Sequence, residues 1–180
     1  GIRQIISYLP ERAEISFANG PLLEDPTWRA NFALLGQAGL SFDAQLYPEQ
    51  MTQAAAFFAR HARVPVVIDH LGSPYDQTAA GQKRWAEGMA ALAALPHVHV
   101  KLGGSAMYSG ADLGAGVRDQ IAQVLHLFGP QRVMFASNFP VDKLHLNYAA
   151  LVQCVLDVLG DDRAATAQVM QGTAHRFYRF

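Results

Sequence analysis

Three apolar runs in the chain each end at polar residues that are followed by a turn. The runs cover residues 66–68, 98–100 and 133–136, and the polar residues after them include His70, Lys101 and Asn138. A central strand of a parallel sheet is apolar throughout, because helices cover both of its faces. Polar residues at the end of such a strand lie at the mouth of the fold, where barrel enzymes carry their active sites. The pattern therefore predicts a site built from these three side chains.

Short strands alternate with amphipathic helices along the chain. Strands are predicted over residues 2–7 and 40–46, and three more begin after residues 64, 96 and 130. Apolar residues at positions i, i+4 and i+7, such as Trp28, Phe32 and Leu35, predict helices between the strands. Two further helices, over about 144–159 and 162–178, follow the last strand. This alternation favours right-handed βαβ units and a parallel sheet in an α/β fold.

The number of strands leaves two architectures open. A complete (β/α)8 TIM barrel needs about 250 residues and eight strands, whereas this chain has 180 residues and five predicted strands. The chain is either an open doubly wound sheet or the C-terminal portion of a barrel without its first three strands. No GxGxxG or Walker lysine loop follows any strand, which weakens the nucleotide-binding version of the open sheet. We therefore favour a single domain over residues 1–180 that lacks its N-terminal strands.

Composition and charge narrow the functional classes. The chain is 51% hydrophobic and 16% charged, which predicts a globular protein. Its longest apolar run, Met89 to Leu95, is far shorter than the ~20 residues of a membrane helix. A net charge of -1 without a Lys/Arg cluster speaks against nucleic-acid binding. The single cysteine, Cys154, cannot form an internal disulfide, so we expect a cytoplasmic protein. Because Gly1 is no initiator Met, we expect the chain to start inside a longer product.

Five segments, taken together and in order, resemble the amidohydrolase-related family of TIM-barrel hydrolases, in particular its lactonase-like branch. The segments are Gly1-Ile2-Arg3, Leu40-Ser41-Phe42-Asp43, Pro65 to Gly72, Lys101-Leu102-Gly103-Gly104 and Arg132 to Pro140. The ending, Gly172 to Arg179, is similar to the family's last helix. The resemblance implies that the five strands are the fourth to eighth of a barrel. It also implies a hydrolase that opens a small lactone or a carboxylated ring ester by water attack on the carbonyl.

The resemblance further implies a divalent metal such as zinc. The family's first strand usually carries a His-x-His pair that binds the metal or, in metal-free lactonases, contacts substrate, and that strand is not in this chain. His70 matches the family histidine at the end of strand six, which contacts metal or substrate, so His70 is the expected metal ligand or proton acceptor. Its neighbour Asp69 should point the other way on an extended strand and contact loop groups. The segment His97-Val98-His99 has the family spacing but begins a strand, so it should lie on the barrel floor.

Asn138 departs from the family pattern. Most relatives have an aspartate at this position, and that carboxylate activates the attacking water. An amide cannot take the proton, although it can orient a water molecule by hydrogen bonding. Proton transfer would then pass to His70 or Asp142. If Asn138 only positions water, Asn138→Asp should retain or raise activity by restoring a carboxylate.

Positive charge near the predicted mouth favours an acidic or carbonyl-bearing substrate. Lys101 lies near the end of a buried strand and needs an acidic partner or an anionic ligand. Arg3 offers a planar fork of donors, and together the two cations could bind an acidic lactone and stabilise its oxyanion. Structural ion pairing is the alternative. Asp43 and Gln45 should face the interior, with Gln45 as a substrate contact, and Tyr108, in a Gly/Ser-rich loop, could cover the pocket.

Three functions are compatible with these residues. The first is the lactone hydrolase, acting on a small-molecule substrate. The second is a decarboxylase of a small acid, an activity found in the same broad family. The third is a catalytically inactive, truncated barrel that binds a ligand or a partner subunit, since open sheet edges call for another chain, which in a homo-oligomer would be a second copy. With three strands missing, we expect the chain alone to hydrolyse little or nothing.

Overall fold

The five predicted strands form one parallel sheet in a computed structural model that describes residues 1–180. The strands are β1 (Ile2–Ile5), β2 (Phe42–Gln45), β3 (Val66–Ile68), β4 (Val98–Leu102) and β5 (Val133–Phe135). The helices are α1 (Pro26–Gln37), α2 (Pro48–Phe58), α3 (Ala79–Ala93), α4 (Ala106–Ser109), α5 (Ala115–Phe128), α6 (Tyr148–Leu159), α7 (Arg163–Ala167) and α8 (Thr173–Tyr178). A π-helical turn, Gln168–Gly172, joins α7 to α8, so the last predicted helix is interrupted.

The strands pair in sequence order, each parallel to the next. The predicted α/β fold with a parallel sheet is therefore confirmed, and the strands are shorter than predicted because their ends turn into loops. β1 and β5 do not pair with each other, so the sheet stays open. Ile2 and Ile5 on the edge strand β1 are partly exposed. None of the helices combines the length and the apolar character that crossing a bilayer requires.

The main hydrophobic core lies between one face of the sheet and the helices. Phe42 of β2, Ile68 of β3 and Val100 of β4 point into it and are fully or almost fully buried. Trp85 of α3 packs there as well, and its indole nitrogen donates to the carbonyl of Leu71 at 2.6 Å. This hydrogen bond fixes the turn after β3 to the core, and the same turn carries His70.

The opposite face of the sheet carries both apolar and charged side chains. Residues that pair directly across strands share a face, so Arg3, Asp43 and Val67 lie on this side together, as do Lys101 and Met134. Val67 and Met134 form a small second core with Phe177 of α8. The last helix thus covers the lower part of this face and leaves its charged part toward the carboxyl-terminal ends of the strands.

The two histidines around the start of β4 lie at the other end of the sheet. His97 precedes the strand, and its Nε2 contacts the carbonyl of Phe58 at 3.2 Å. The ring of His99 packs against Phe177, with ring centroids 4.8 Å apart. Burial lowers the pKa of His99 to about 4. His97 and His99 therefore lie at the floor of the barrel, opposite the mouth, as the sequence predicts.

We expect His99 to make the protein less stable as the pH falls from about 6.5 to about 4. The unfolded chain binds a proton at His99 in this range, whereas the folded chain does not, so this residue removes about 1.4 kcal/mol of unfolding free energy per pH unit. His99→Gln should flatten the pH dependence of urea unfolding by this slope. Leu46→Ala, in the separate main core, should lower stability at every pH and leave the slope unchanged. Equal slopes in wild type and His99→Gln would contradict the assignment.

Candidate active site

The carboxylate of Asp69, which follows β3, joins three strands. Its Oδ1 lies 2.9 Å from Nζ of Lys101 on β4, and its Oδ2 lies 3.1 Å from Nε of Arg3 on β1. The Asp69 side chain is only 1% exposed, so each of its oxygens depends on a cationic partner. This contact replaces the loop partner that the sequence predicts for Asp69.

Lys101 is held by a second carboxylate. Its Nζ lies 2.6 Å from Oδ2 of Asp43, which also accepts a hydrogen bond from the Tyr178 hydroxyl at 2.7 Å. Burial opposes the charge of Lys101, but Asp69 and Asp43 outweigh it and raise the pKa of the ammonium group. Burial, together with Asp43, raises the pKa of Tyr178 to about 12. Lys101 is thus a structural ion-pair member that is held between two carboxylates.

His70 lies in a tight left-handed turn. It has a φ of 55°, and Leu71 and Ser73, with φ of 53°, are also left-handed. Such backbone is strained for residues other than glycine, and it is common at functional sites. The prediction that Asp69 and His70 point apart is wrong, because β3 ends at Ile68 and the left-handed turn breaks the alternation. Both side chains contact Arg3.

The neighbours of His70 settle its tautomer. Its Nε2 lies 3.2 Å from Nη2 of Arg3. Because a guanidinium group only donates, Nε2 must accept, and the ring proton sits on Nδ1 beside the backbone of Gly103. Burial lowers the pKa of His70 to about 4; Asp69 opposes this shift, and Arg3 and Lys101 add to it. His70 is therefore neutral at pH 7, with a lone pair directed at Arg3.

Arg3 is the most exposed member of the cluster. Its side chain is 51% exposed, and its Nη2 also donates to Oε1 of Gln45 at 3.3 Å. The guanidinium group thus rests on three fixed partners, namely Asp69, Gln45 and His70, while its outer edge faces solvent. This geometry leaves donors for a ligand at the mouth.

Asn138 lies after β5 with a φ of 53°, a conformation that asparagine tolerates. Its Nδ2 donates to Oδ1 of Asp142 at 2.8 Å. It makes no hydrogen bond to His70 or Lys101. Arg3 and Asp69 link His70 to Lys101, whereas Asn138 is linked to His70 only through the turn after β4. The backbone of Gly104 in that turn lies close to the Asp142 carboxylate on one side and to His70 on the other.

The turn after β4 requires glycine at Gly104. This residue has a φ of 81°, and a Cβ placed on it would lie 2.6 Å from Nδ1 of His70. Tyr108, on the short helix α4 beyond this turn, is half-buried beside the side chain of Ser73, and burial raises its pKa. Tyr108 therefore lies between the loops after β3 and β4, and its role as a pocket cover stays a prediction.

The residues present do not assemble a divalent-metal site. No group of three or more His, Cys, Asp or Glu side chains has a geometry that could hold an ion. His70 directs Nε2 at the guanidinium group of Arg3, and both oxygens of Asp69 face cations. A metal at the mouth would need ligands beyond those that this chain brings together.

Comparison with known proteins identifies the family. The sequence model of the amidohydrolase family matches residues 12–180. The chain belongs to this family. An amidohydrolase from Burkholderia multivorans, solved with bound zinc, is 29% identical and has a TM-score of 0.80, with 88% of this chain and 59% of that chain covered. The five-stranded sheet is thus part of an amidohydrolase TIM barrel, as the sequence resemblance implies.

Two curated relatives carry the name L-fucono-1,5-lactonase. The protein from Burkholderia ambifaria is 35% identical, covering 98% of this chain and 61% of the relative. The protein from Burkholderia multivorans is 31% identical over 87% of this chain and 57% of the relative. The chain spans about 60% of the length of the curated relatives it matches. A putative 2-pyrone-4,6-dicarboxylic acid hydrolase from Pseudomonas putida, 20% identical with a TM-score of 0.79, shows the same fold.

We expect Asp69→Asn to destabilise the protein by about 3–5 kcal/mol. The substitution removes the charge that Lys101 and Arg3 share, and it leaves Lys101 buried with Asp43 alone. Urea unfolding at pH 7 measures the change. Asp157→Asn removes a carboxylate from the exposed pair with Arg118 and should barely change the midpoint. Equal effects of the two substitutions would show that the Asp69 network adds no stability.

Proposed function

We propose that this chain carries most of the active site of a hydrolase that opens a small sugar-type lactone by water attack on the carbonyl. The observation that carries the proposal is the neutral, strained His70 beside the half-exposed Arg3. The names of the two relatives above 30% identity support the lactone as substrate class. The single free cysteine, Cys154, is compatible with a cytoplasmic place of action.

In the proposed reaction His70 is the proton acceptor. Its Nε2 is the unprotonated nitrogen, so it can take a proton from water once the contact with Arg3 is exchanged for one with the substrate. The hydroxide oxygen bonds to the carbonyl carbon, and the ring C–O bond then breaks. The leaving alkoxide takes the proton back from His70, so the products are a hydroxy acid and the resting imidazole.

Arg3 and Lys101 stabilise the negative charge that develops on the carbonyl oxygen. The free edge of Arg3 can donate to the lactone carbonyl oxygen, and the positive charge of Lys101 lies in the same network. Asp69 and Gln45 hold the guanidinium group in place before substrate arrives, which avoids reorganisation during the reaction.

The charge of the network favours a neutral substrate. Two cations, Arg3 and Lys101, face two carboxylates, Asp43 and Asp69, and His70 is neutral. A carboxylated lactone would add negative charge to a cluster without a free positive charge. The acidic lactone expected from the sequence is therefore less favoured than an uncharged sugar lactone.

We expect His70→Ala to lower kcat/KM for a sugar lactone by ~10²-fold or more, as for removal of a general base. His97→Ala, on the floor, is the matched control and should stay within twofold of wild type. Both are assayed in the protein at its natural length, with metal content measured on the same samples. Loss of the ion with His70→Ala would assign a ligand role instead, and full activity of that variant would reject the proposal.

We also expect uncharged sugar lactones to be hydrolysed with a kcat/KM at least tenfold above that for pyrone dicarboxylates. The reason is that the cations and carboxylates around Asp69 balance, so no free positive charge is left for a substrate carboxylate. Product acid is followed by pH-stat titration, and release of carbon dioxide is monitored in parallel. A preference for the dicarboxylate would overturn the substrate assignment, and carbon dioxide without ring opening would favour the decarboxylase.

A further inference from the structure

Asp142 is a buried carboxylate that the proposed reaction does not use. It lies in a 3₁₀ turn after β5, four residues beyond Asn138, and it is 0% exposed. Its Oδ1 accepts the Asn138 amide at 2.8 Å, and its Oδ2 makes no hydrogen bond. A buried carboxylate with one unpartnered oxygen costs free energy. Such a group is therefore a candidate for a functional role.

The hydrogen-bond donors around Asp142 act against the effect of its burial. Burial raises its pKa, whereas the Asn138 amide and the backbone amides of Gly104 and Ala106 act in the opposite direction. All three are donors, and a protonated carboxyl group would find no acceptor at Oδ2. The other titratable groups that face Asp142 are His145 and Tyr108.

The hydrogen bond that Nδ2 donates to Oδ1 of Asp142 fixes the orientation of the Asn138 amide. A carboxylate only accepts hydrogen bonds, so the end of the amide that faces it must be the NH2 group. The amide oxygen, Oδ1, is then directed away from Asp142. Because Asn138 is only half-buried, this oxygen can accept a hydrogen bond from a water molecule.

We propose that Asp142 is a positioning residue that holds Asn138 with its amide oxygen toward the attacking water. This inference rests on the proposed function. One hydrogen of the water is oriented by Oδ1 of Asn138, and the other is the proton that His70 takes. The Asn138 amide therefore orients the water molecule without accepting its proton.

The contact revises the expectation for Asn138→Asp. Two carboxylates would then face each other across 2.8 Å in a buried turn, and one of them would hold a proton at neutral pH. Exchanging the two residues avoids this, because an asparagine at position 142 can donate to an aspartate at position 138. The double variant Asn138→Asp/Asp142→Asn keeps one donor, one acceptor and one charge in the pair.

The test compares wild type, Asn138→Asp, Asp142→Asn and the double variant. We expect each single variant to lose at least tenfold in kcat with little change in KM, and the double variant to recover to within threefold of wild type. Asn138→Asp should show an added ionisation above pH 5 in its pH profile that the double variant lacks. Asp161→Asn removes an exposed carboxylate elsewhere and should leave kcat unchanged.

A second measurement does not depend on turnover. The side-chain amide NMR signal of Asn138 should shift as Asp142 titrates, and this shift should vanish in Asp142→Asn. If wild type opens no lactone, the proposed function fails, while the NMR titration still decides whether Asp142 holds Asn138. Full activity of Asp142→Asn, or a double variant no better than the worse single variant, would overturn the inference.

Discussion

The carboxylate of Asp69 is the contact on which the rest of the site depends. It is buried, it forms ion pairs with cations on β1 and β4, and it follows β3, so one side chain joins three strands of the sheet. A buried ion pair gains little over a well-packed apolar contact, but it is very sensitive to the loss of one partner. Such a network fixes where Arg3 and Lys101 lie more than it adds stability. The position of Arg3 in turn decides where the lone pair of His70 is directed.

Backbone strain is concentrated next to this network. His70 and Asn138, the two residues closest to the proposed chemistry, both have left-handed backbone, and Gly104 between them is left-handed as well. The hydrogen bond from Trp85 to Leu71 holds the first turn against the core. The main core therefore stabilises a geometry that the local sequence would not adopt by itself.

Much of the fold follows from the sequence, whereas the contacts within the candidate site follow from it only in part. Apolar runs ending in polar residues correctly place His70 and Lys101 at the carboxyl-terminal ends of the strands, and His97 at the opposite end of the sheet. Sequence periodicity fails where the backbone leaves the extended conformation, as it does between Asp69 and His70. The contact of Tyr178 with Asp43 spans 135 residues and depends on how the last helix docks, which no local pattern encodes. The pairing of Asn138 with Asp142 has the i, i+4 spacing of a helix, but it arises in an irregular turn.

The division of the site into two electrostatic halves follows from these contacts. On the side of β1 and β3, cations and carboxylates balance, and Arg3 offers donors to an oxygen that becomes negative. On the side of β5, the Asn138 amide held by Asp142 offers an acceptor to a water hydrogen. A water molecule between the halves would have one hydrogen directed by Asn138 and the other by His70, with its oxygen free to attack. A neutral lactone leaves the charge balance of the first half unchanged when it binds. Negative charge develops on the carbonyl oxygen only when the carbonyl is attacked, and the donors of Arg3 contribute most at that point.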